Sequence, residues 1–144
     1  MERKFYPLYY AGKKQRFARS VVVGDIVFLS GSSGRTMETG DVSSMDVKEQ
    51  MIVALDKIRA ALEEVGSSME NIVKTTIYLK NVEDYKLMRR TEQEYYKKYA
   101  PKLLEEPPAS TFVQPKSLAF PQMLVEIDAI AVIPDKKPGR SCKK

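Results

Sequence analysis

Glu126 is the residue whose type and setting point first to chemistry. It lies in the run Leu124-Val125-Glu126-Ile127-Asp128-Ala129-Ile130-Ala131-Val132-Ile133, whose alternation reads as a strand. On that reading Glu126 shares a face with Leu124, Ile130 and Val132. A carboxylate among apolar neighbours is costly unless it is paired, protonated or at work. Asp128 falls on the same face two residues on, which gives the two acids one environment. Glu126 has two readings: a base that positions water, or a structural carboxylate hydrogen-bonded near the strand start. Other chemistry is restricted by composition. The chain has no histidine and a single cysteine, Cys142. That excludes Ser-His-Asp and Cys-His nucleophile pairs, an internal disulfide framework and ordinary zinc sites. Carboxylates, Arg, Lys, Tyr, hydroxyls and backbone amides remain.

The elements that must position these groups follow from periodicity. Ser20-Val21-Val22-Val23, Gly24-Asp25 and Ile26-Val27-Phe28-Leu29-Ser30 read as a hairpin, with Gly24 suited to the first position of a type II′ turn. Residues 31–34 read as a flexible loop. It lacks the lysine and following helix of a phosphate loop. Val47, Met51, Leu55, Ile58, Leu62 and Val65 recur at three- and four-residue steps, which predicts a helix over residues 46–65. Asp46 with Glu49 resembles a capping pair, and Gly66 is a stop signal. Residues 72–79 alternate as a strand, with Val73, Thr75, Ile77 and Leu79 on one face. A second helix opens at Asn81 or Glu83 and runs to about Tyr99, where Pro101 ends it, with Tyr85, Met88, Tyr95 and Tyr99 as its stripe. Residues 102–108 read as a loop; residues 111–113 and 124–133 close the sheet. The order ββ-α-β-α-ββ predicts an α+β sandwich, one mixed sheet with two helices on one face. The last strand is apolar on both faces, so its second face needs cover. Another copy of the chain is the simplest supply.

The 144 residues fit one domain, residues 1–134, followed by a basic tail, residues 135–144, expected to be dispensable for stability. Apolar content of 43% and charged content of 30% suit a water-soluble protein. No apolar run approaches the ~20 residues of a membrane span. The N-terminal stretch has no continuous apolar segment of a secretory leader, so a cytoplasmic protein is expected. The net charge of +5 concentrates at the two ends, at Lys13, Lys14, Arg16 and Arg19 and again in the tail. Both ends read as solvated and mobile rather than as a nucleic-acid patch, since no RRM, KH or zinc-knuckle motif accompanies them.

Four segments in order resemble the RidA/YjgF family, also called L-PSP endoribonuclease-like proteins: residues 22–31 (VVGDIVFLSG), 38–40 (ETG), 65–74 (VGSSMENIVK) and 125–132 (VEIDAIAV). The resemblance covers roughly residues 17–133. It implies a chorismate-mutase-like fold and a homotrimer with small-molecule clefts between neighbouring subunits. It also implies hydrolysis of 2-imino acids to 2-keto acids and ammonia, with no cofactor and no metal. Such chemistry needs an arginine to hold the substrate carboxylate, a glutamate to position water, and backbone amides to orient the substrate. The glutamate matches Glu126. The Ser-Gly after the hairpin matches Ser30 and Gly31. The family Pro-Ala-Arg-Ser segment matches Pro108-Ala109-Ser110-Thr111, so Ser110 stands where the arginine is expected, and the next backbone position falls on Phe112. A family tyrosine matches Phe17, as pocket wall or core filler. A family asparagine matches Arg89.

Arg89 is then expected to replace the missing arginine in part and to face Glu126 across the cleft, where its charge would keep the carboxylate ionised. The alternative is a solvated helix face formed with Arg90. Three functions follow: a divergent RidA-like hydrolase of an imine or other small carbonyl compound; a non-catalytic small-metabolite-binding trimer; and, third, an L-PSP-type ribonuclease or translation inhibitor. Nucleic acid is the least expected partner, because histidine and RNA-reading aromatic motifs are absent.

Overall fold

Val47, Met51, Leu55, Ile58 and Leu62, the apolar stripe read from the sequence, are all buried along helix α1 (Val47–Glu64). Asp46 caps its start, with Oδ1 accepting from the amides of Lys48 and Glu49 at 2.8 and 3.4 Å. At its end Gly66 takes a φ of 85°, and the amides of Gly66 and Ser67 satisfy the carbonyls of Glu63 and Leu62. The structure, a computed structural model, describes residues 1–134. The basic tail expected over residues 135–144 lies outside them.

A mixed sheet carries the rest. Its strands are β1 (Arg3–Tyr10), β2 (Lys13–Val23), β3 (Ile26–Leu29), β4 (Ser32–Ser33), β5 (Ile72–Leu79), β6 (Ala109–Val113) and β7 (Val125–Val132). The spatial order is β1-β2-β3-β7-β5-β6, and β4 also pairs with β7. All pairings are antiparallel except β5 with β6. Helix α2 (Tyr85–Tyr99) packs beside α1, and a short α3 (Lys102–Glu105) follows within what the sequence reads as loop. Val27, Leu29, Ile77, Leu79, Val125, Ile127, Ala129 and Ala131 form the core with the two long helices. Each large side chain so buried stabilises by about 1.5–3 kcal/mol. The expected ββ-α-β-α-ββ sandwich is therefore present, with additions.

The N-terminus is not a loose end. Residues 3–23 form a long hairpin whose turn places Ala11 at φ 51° and Gly12 at φ 75°, the signs of a type I′ turn. Alanine is a poor signal for that geometry, since a left-handed non-glycine residue costs about 1–2 kcal/mol. Pairing with β3 on the far side of β2 holds the hairpin in place, and with it Lys13, Lys14, Arg16 and Arg19. Two further differences are local. Val73 faces outward, because the β5–β7 register shifts between Ile72 and Lys74. The segment read as a flexible loop after Ser30 contains β4.

Gln50, fully buried on α1, links three segments. Its Nε2 donates to the carbonyls of Ser44 and Gln122 at 2.7 and 2.9 Å, and its Oε1 accepts from the Leu124 amide at 2.8 Å. This holds the entry to β7 and hence the register of Glu126.

The other sheet face is uncovered by any of the described residues. Phe5, Val21, Phe28 and Ile130 are successive cross-strand partners over β1, β2, β3 and β7. Val23, Ile26 and Val132 form the next row. Phe5 is 48% exposed, Phe28 44%, Ile26 43% and Val132 37%, which makes this face a contiguous apolar surface rather than scattered residues.

Candidate functional site

The ladder between β3 and β7 stops at Phe28–Ile130 and resumes as β4 at Ser32–Ile127. Residues 30–31 lie in the gap. Ser30 is tied to β2: its Oγ donates to the Ala18 carbonyl at 2.5 Å and its amide to the Arg19 carbonyl at 3.2 Å. Gly31 lies directly on Glu126, so that a Cβ there would sit 2.7 Å from Oε2. No larger residue fits without displacing the carboxylate. Ser30, Gly31 and Glu126 are thus brought together, as the sequence reading expects.

Glu126 is half-buried and alternates with the buried Val125 and Ile127, which places it on the face away from the helices. Asp128 shares that face and accepts from Tyr78 Oη at 3.2 Å. Burial, and after it the Asp128 charge, push the Glu126 carboxyl up from its ordinary value; Lys57 and Arg35 pull the other way. The carboxyl therefore titrates closer to neutrality than a free glutamate, as suits a proton acceptor.

Ser110, Phe112 and Arg89 assemble elsewhere. Arg89 reaches from α2 to the edge strand, where Nη2 donates to Ser110 Oγ at 3.2 Å. Its Nη1 is held by both oxygens of the buried Glu92 at 3.0 and 3.2 Å, and its Nε donates to Tyr85 Oη at 3.1 Å. Tyr85 in turn meets Phe112 edge-on at 4.9 Å. Beside them the Thr75 hydroxyl is buried with no hydrogen-bond partner among the described residues, on the wall of a hollow shared with Arg89, Ser110 and Tyr96. Arg89 is therefore not a solvated helix face. Nor does it face Glu126 within the chain: Phe112 packs against the core on the helix side of the sheet, and Glu126 points from the other side. The charges that act on Glu126 are Asp128, Lys57 and Arg35. Phe17 on β2 is 49% exposed, so it is not core filler.

Three groups near Glu126 escape the sequence reading: Tyr10, Arg35 and Lys57. Arg35 covers the Tyr10 ring at 4.0 Å and the Phe120 ring at 4.6 Å, and Lys57 Nζ donates to Tyr10 Oη at 3.0 Å. One signal was available for Lys57. It stands three residues after Ala54 and four before Ala61, on the flank of the buried stripe where a charged residue is unexpected. Tyr10 and Arg35 carried none: the first hairpin was not legible, and the turn read at residues 38–41, whose Gly40 carbonyl anchors Arg35, does not by itself bring Arg35 to Tyr10.

The model of the Endoribonuclease L-PSP family matches residues 11–133. The chain belongs to this family, the RidA/YjgF family. It is 33% identical over 115 residues to a RutC family protein of Pyrococcus abyssi, covering 80% of this chain and 84% of that one. A 2-iminobutanoate/2-iminopropanoate deaminase of Escherichia coli is 28% identical over 116 residues, covering 81% and 86%. The crystal structure of the E. coli YjgF gene product is 27% identical with a TM-score of 0.76, covering 88% of this chain and 94% of that one. The fold and family expected from the four sequence segments are those observed.

Proposed function

We propose that this RidA/YjgF family member is a hydrolase of small imines or related carbonyl compounds, with Glu126 positioning the attacking water. The observation that carries this reading is the Glu126 carboxyl itself. It is half-buried and seated against Gly31, and its pKa is raised by burial and by the Asp128 charge, against the opposing pull of Lys57 and Arg35. A carboxyl so placed accepts a proton from water more readily than an exposed one, and the backbone of residues 30–31 lies beside it for substrate contacts. The active form is a homotrimer. The apolar sheet face is the covered surface, and clefts between neighbours join the Glu126 side of one chain to the Arg89–Ser110 side of the next. The domain spans residues 1–134, the tail is dispensable for stability, and the protein works in the cytoplasm.

The test is ammonia release from enzymatically generated 2-iminopropanoate and 2-iminobutanoate. Wild type should accelerate release. Glu126→Gln should lower kcat by about a hundredfold or more while sparing binding of the keto-acid product. A wild-type rate equal to the uncatalysed one overturns the hydrolase reading.

A second reading has its own observation. Ser110 occupies the arginine position implied by the resemblance, and Arg89 is already neutralised by Glu92. A cleft without a free carboxylate anchor there favours a non-catalytic binder of small metabolites. Product binding without ammonia release would select it.

A further inference from the structure

Residues 30–31 line a half-open cavity of about 30 Å3 that is continuous with solvent. Tyr10, Arg19, Ser30, Gly31 and Lys57 supply its polar walls, and Leu8, Leu29 and Ile58 are among its apolar ones. Lys57 bears on Glu126 only through its charge, and its amine has no part in hydrolysis there. It enters from α1, and its Nζ lies 3.0 Å from Tyr10 Oη and 5.2 Å from the centre of that ring. Arg35 lies over the same ring, anchored by Nε donation to the Gly40 carbonyl at 2.7 Å. Among the described residues, neither Lys57 nor Arg35 has a carboxylate within ion-pair distance. Arg19, by contrast, is paired with Glu64 at 3.5 Å. Two cations thus share one aromatic ring, one of them on the wall of a cavity that opens to solvent.

We propose that the Lys57 amine is a carbonyl-reactive nucleophile that captures small 2-oxo acids in this cavity as a Schiff base, the neighbouring Arg35 charge favouring ligands with a carboxylate. The unprotonated amine adds to the carbonyl carbon, and the carbonyl oxygen takes a proton to give a carbinolamine. That oxygen leaves as water, and a C=N bond joins the ligand to Nζ. Amine, carbonyl compound and one proton from solvent give a protonated Schiff base and water, so no oxidant, reductant or cofactor is consumed. Tyr10, hydrogen-bonded to Nζ, is the nearest relay for that proton. A desolvated lysine beside a second cation is the arrangement that keeps an amine unprotonated near neutral pH. Burial, and after it the Arg35 charge, lower the Lys57 pKa to about 8, against the opposing pull of Glu126. At pH 7.5 roughly a quarter of Lys57 is then free amine, against about one part in a thousand for an exposed lysine. Capture at Lys57 does not rest on hydrolysis at Glu126: it operates whether or not the cleft releases ammonia.

Full-length protein is incubated with pyruvate and cyanoborohydride, digested, and mapped by mass spectrometry. The adduct should concentrate on Lys57, with a mass increment equal to pyruvic acid less one oxygen atom. Its rate should exceed that of exposed lysines by roughly tenfold or more and rise with pH around a midpoint near 8. Acetone, which lacks the carboxylate, should label roughly tenfold more slowly or less. Lys57→Arg and Lys57→Met should lose the fast-labelling fraction. Adducts spread evenly over the lysines, or fast labelling unchanged in Lys57→Arg, would overturn the proposal; because the wild-type map decides alone, a variant that misfolds does not rescue it. Pyruvate binding by calorimetry without any Lys57 adduct would also overturn it, reducing the cavity to a simple anion site. Ammonia release measured on the same preparations separates the two claims. Labelling without ammonia release leaves this inference standing and removes the hydrolase reading.

Discussion

Glu126 and Arg89 behave as opposite kinds of charged residue. Glu126 is destabilised by its surroundings: burial and Asp128 raise its pKa more than Lys57 and Arg35 lower it. Between the ordinary glutamate range and the raised folded value, the folded state holds more protons than the unfolded state. Stability therefore falls as pH rises through that window. Glu126→Gln imitates the protonated form, so it should raise Tm at neutral pH, and the gain should vanish as pH falls to about 4. Thermal scans of both proteins across pH 4–8 check this. A loss of stability at neutral pH would mean the carboxylate anchors the fold instead. Arg89 is the reverse case, since its guanidinium neutralises a glutamate that is 5% exposed. Arg89→Ala should destabilise by about 1–3 kcal/mol by leaving the Glu92 charge buried without its partner. Urea unfolding reads that out directly, and Arg89→Ala with Glu92→Gln should recover most of the loss.

At the scale of elements, the site depends on how two short irregularities are held. Residues 30–31 interrupt the ladder, and a side chain at Gly31 would push the Glu126 carboxylate out of its present position. The long connection from β6 to β7 carries few apolar anchors, and Gln50 holds its end through two hydrogen bonds, to the Gln122 carbonyl and the Leu124 amide, while a third ties Gln50 to the Ser44 carbonyl. Gln50→Leu keeps the volume but leaves the Ser44 and Gln122 carbonyls and the Leu124 amide without these partners. It should cost about 2–4 kcal/mol, measurable by denaturant titration. Because those bonds set the start of β7, proteolysis after residue 113 should also quicken. An unchanged unfolding midpoint would show that the connection is held by packing alone.

For the whole molecule the uncovered sheet face is decisive. Rows running from Phe5 to Ile130 and from Val23 to Val132 present a contiguous, part-exposed apolar surface, the kind that marks an interaction site. The proposed trimer buries that face and brings Arg89 and Ser110 of one chain towards Glu126 of another. Phe28→Glu places a charge at the centre of one row without touching the core. It should give monomers by light scattering where wild type gives three chains, and ammonia release should fall in parallel. A wild-type monomer at micromolar concentration would overturn the trimer.

The sequence by itself determined what short-range periodicity can carry. The stripe from Val47 to Leu62 required α1, the alternation of residues 125–132 required a strand with Glu126 and Asp128 on one face, and four ordered segments placed the chain in its family. That Ser30, Gly31 and Glu126 belong together came from the family resemblance and not from periodicity, which gave only the strands on which they lie or end. Tertiary structure alone decided the rest. The first hairpin turns at Ala11, whose preference opposes the conformation it adopts, and pairing with β3 overrides that preference. Arg89 meets Ser110, but within one chain it lies on the opposite face of the sheet from Glu126, so the expected pairing across a cleft needs a second chain, which no short-range pattern in the sequence describes. Tyr10, Arg35 and Lys57 meet over separations in sequence that no periodicity spans. Their charges act on one another only because burial removes the water that would screen them.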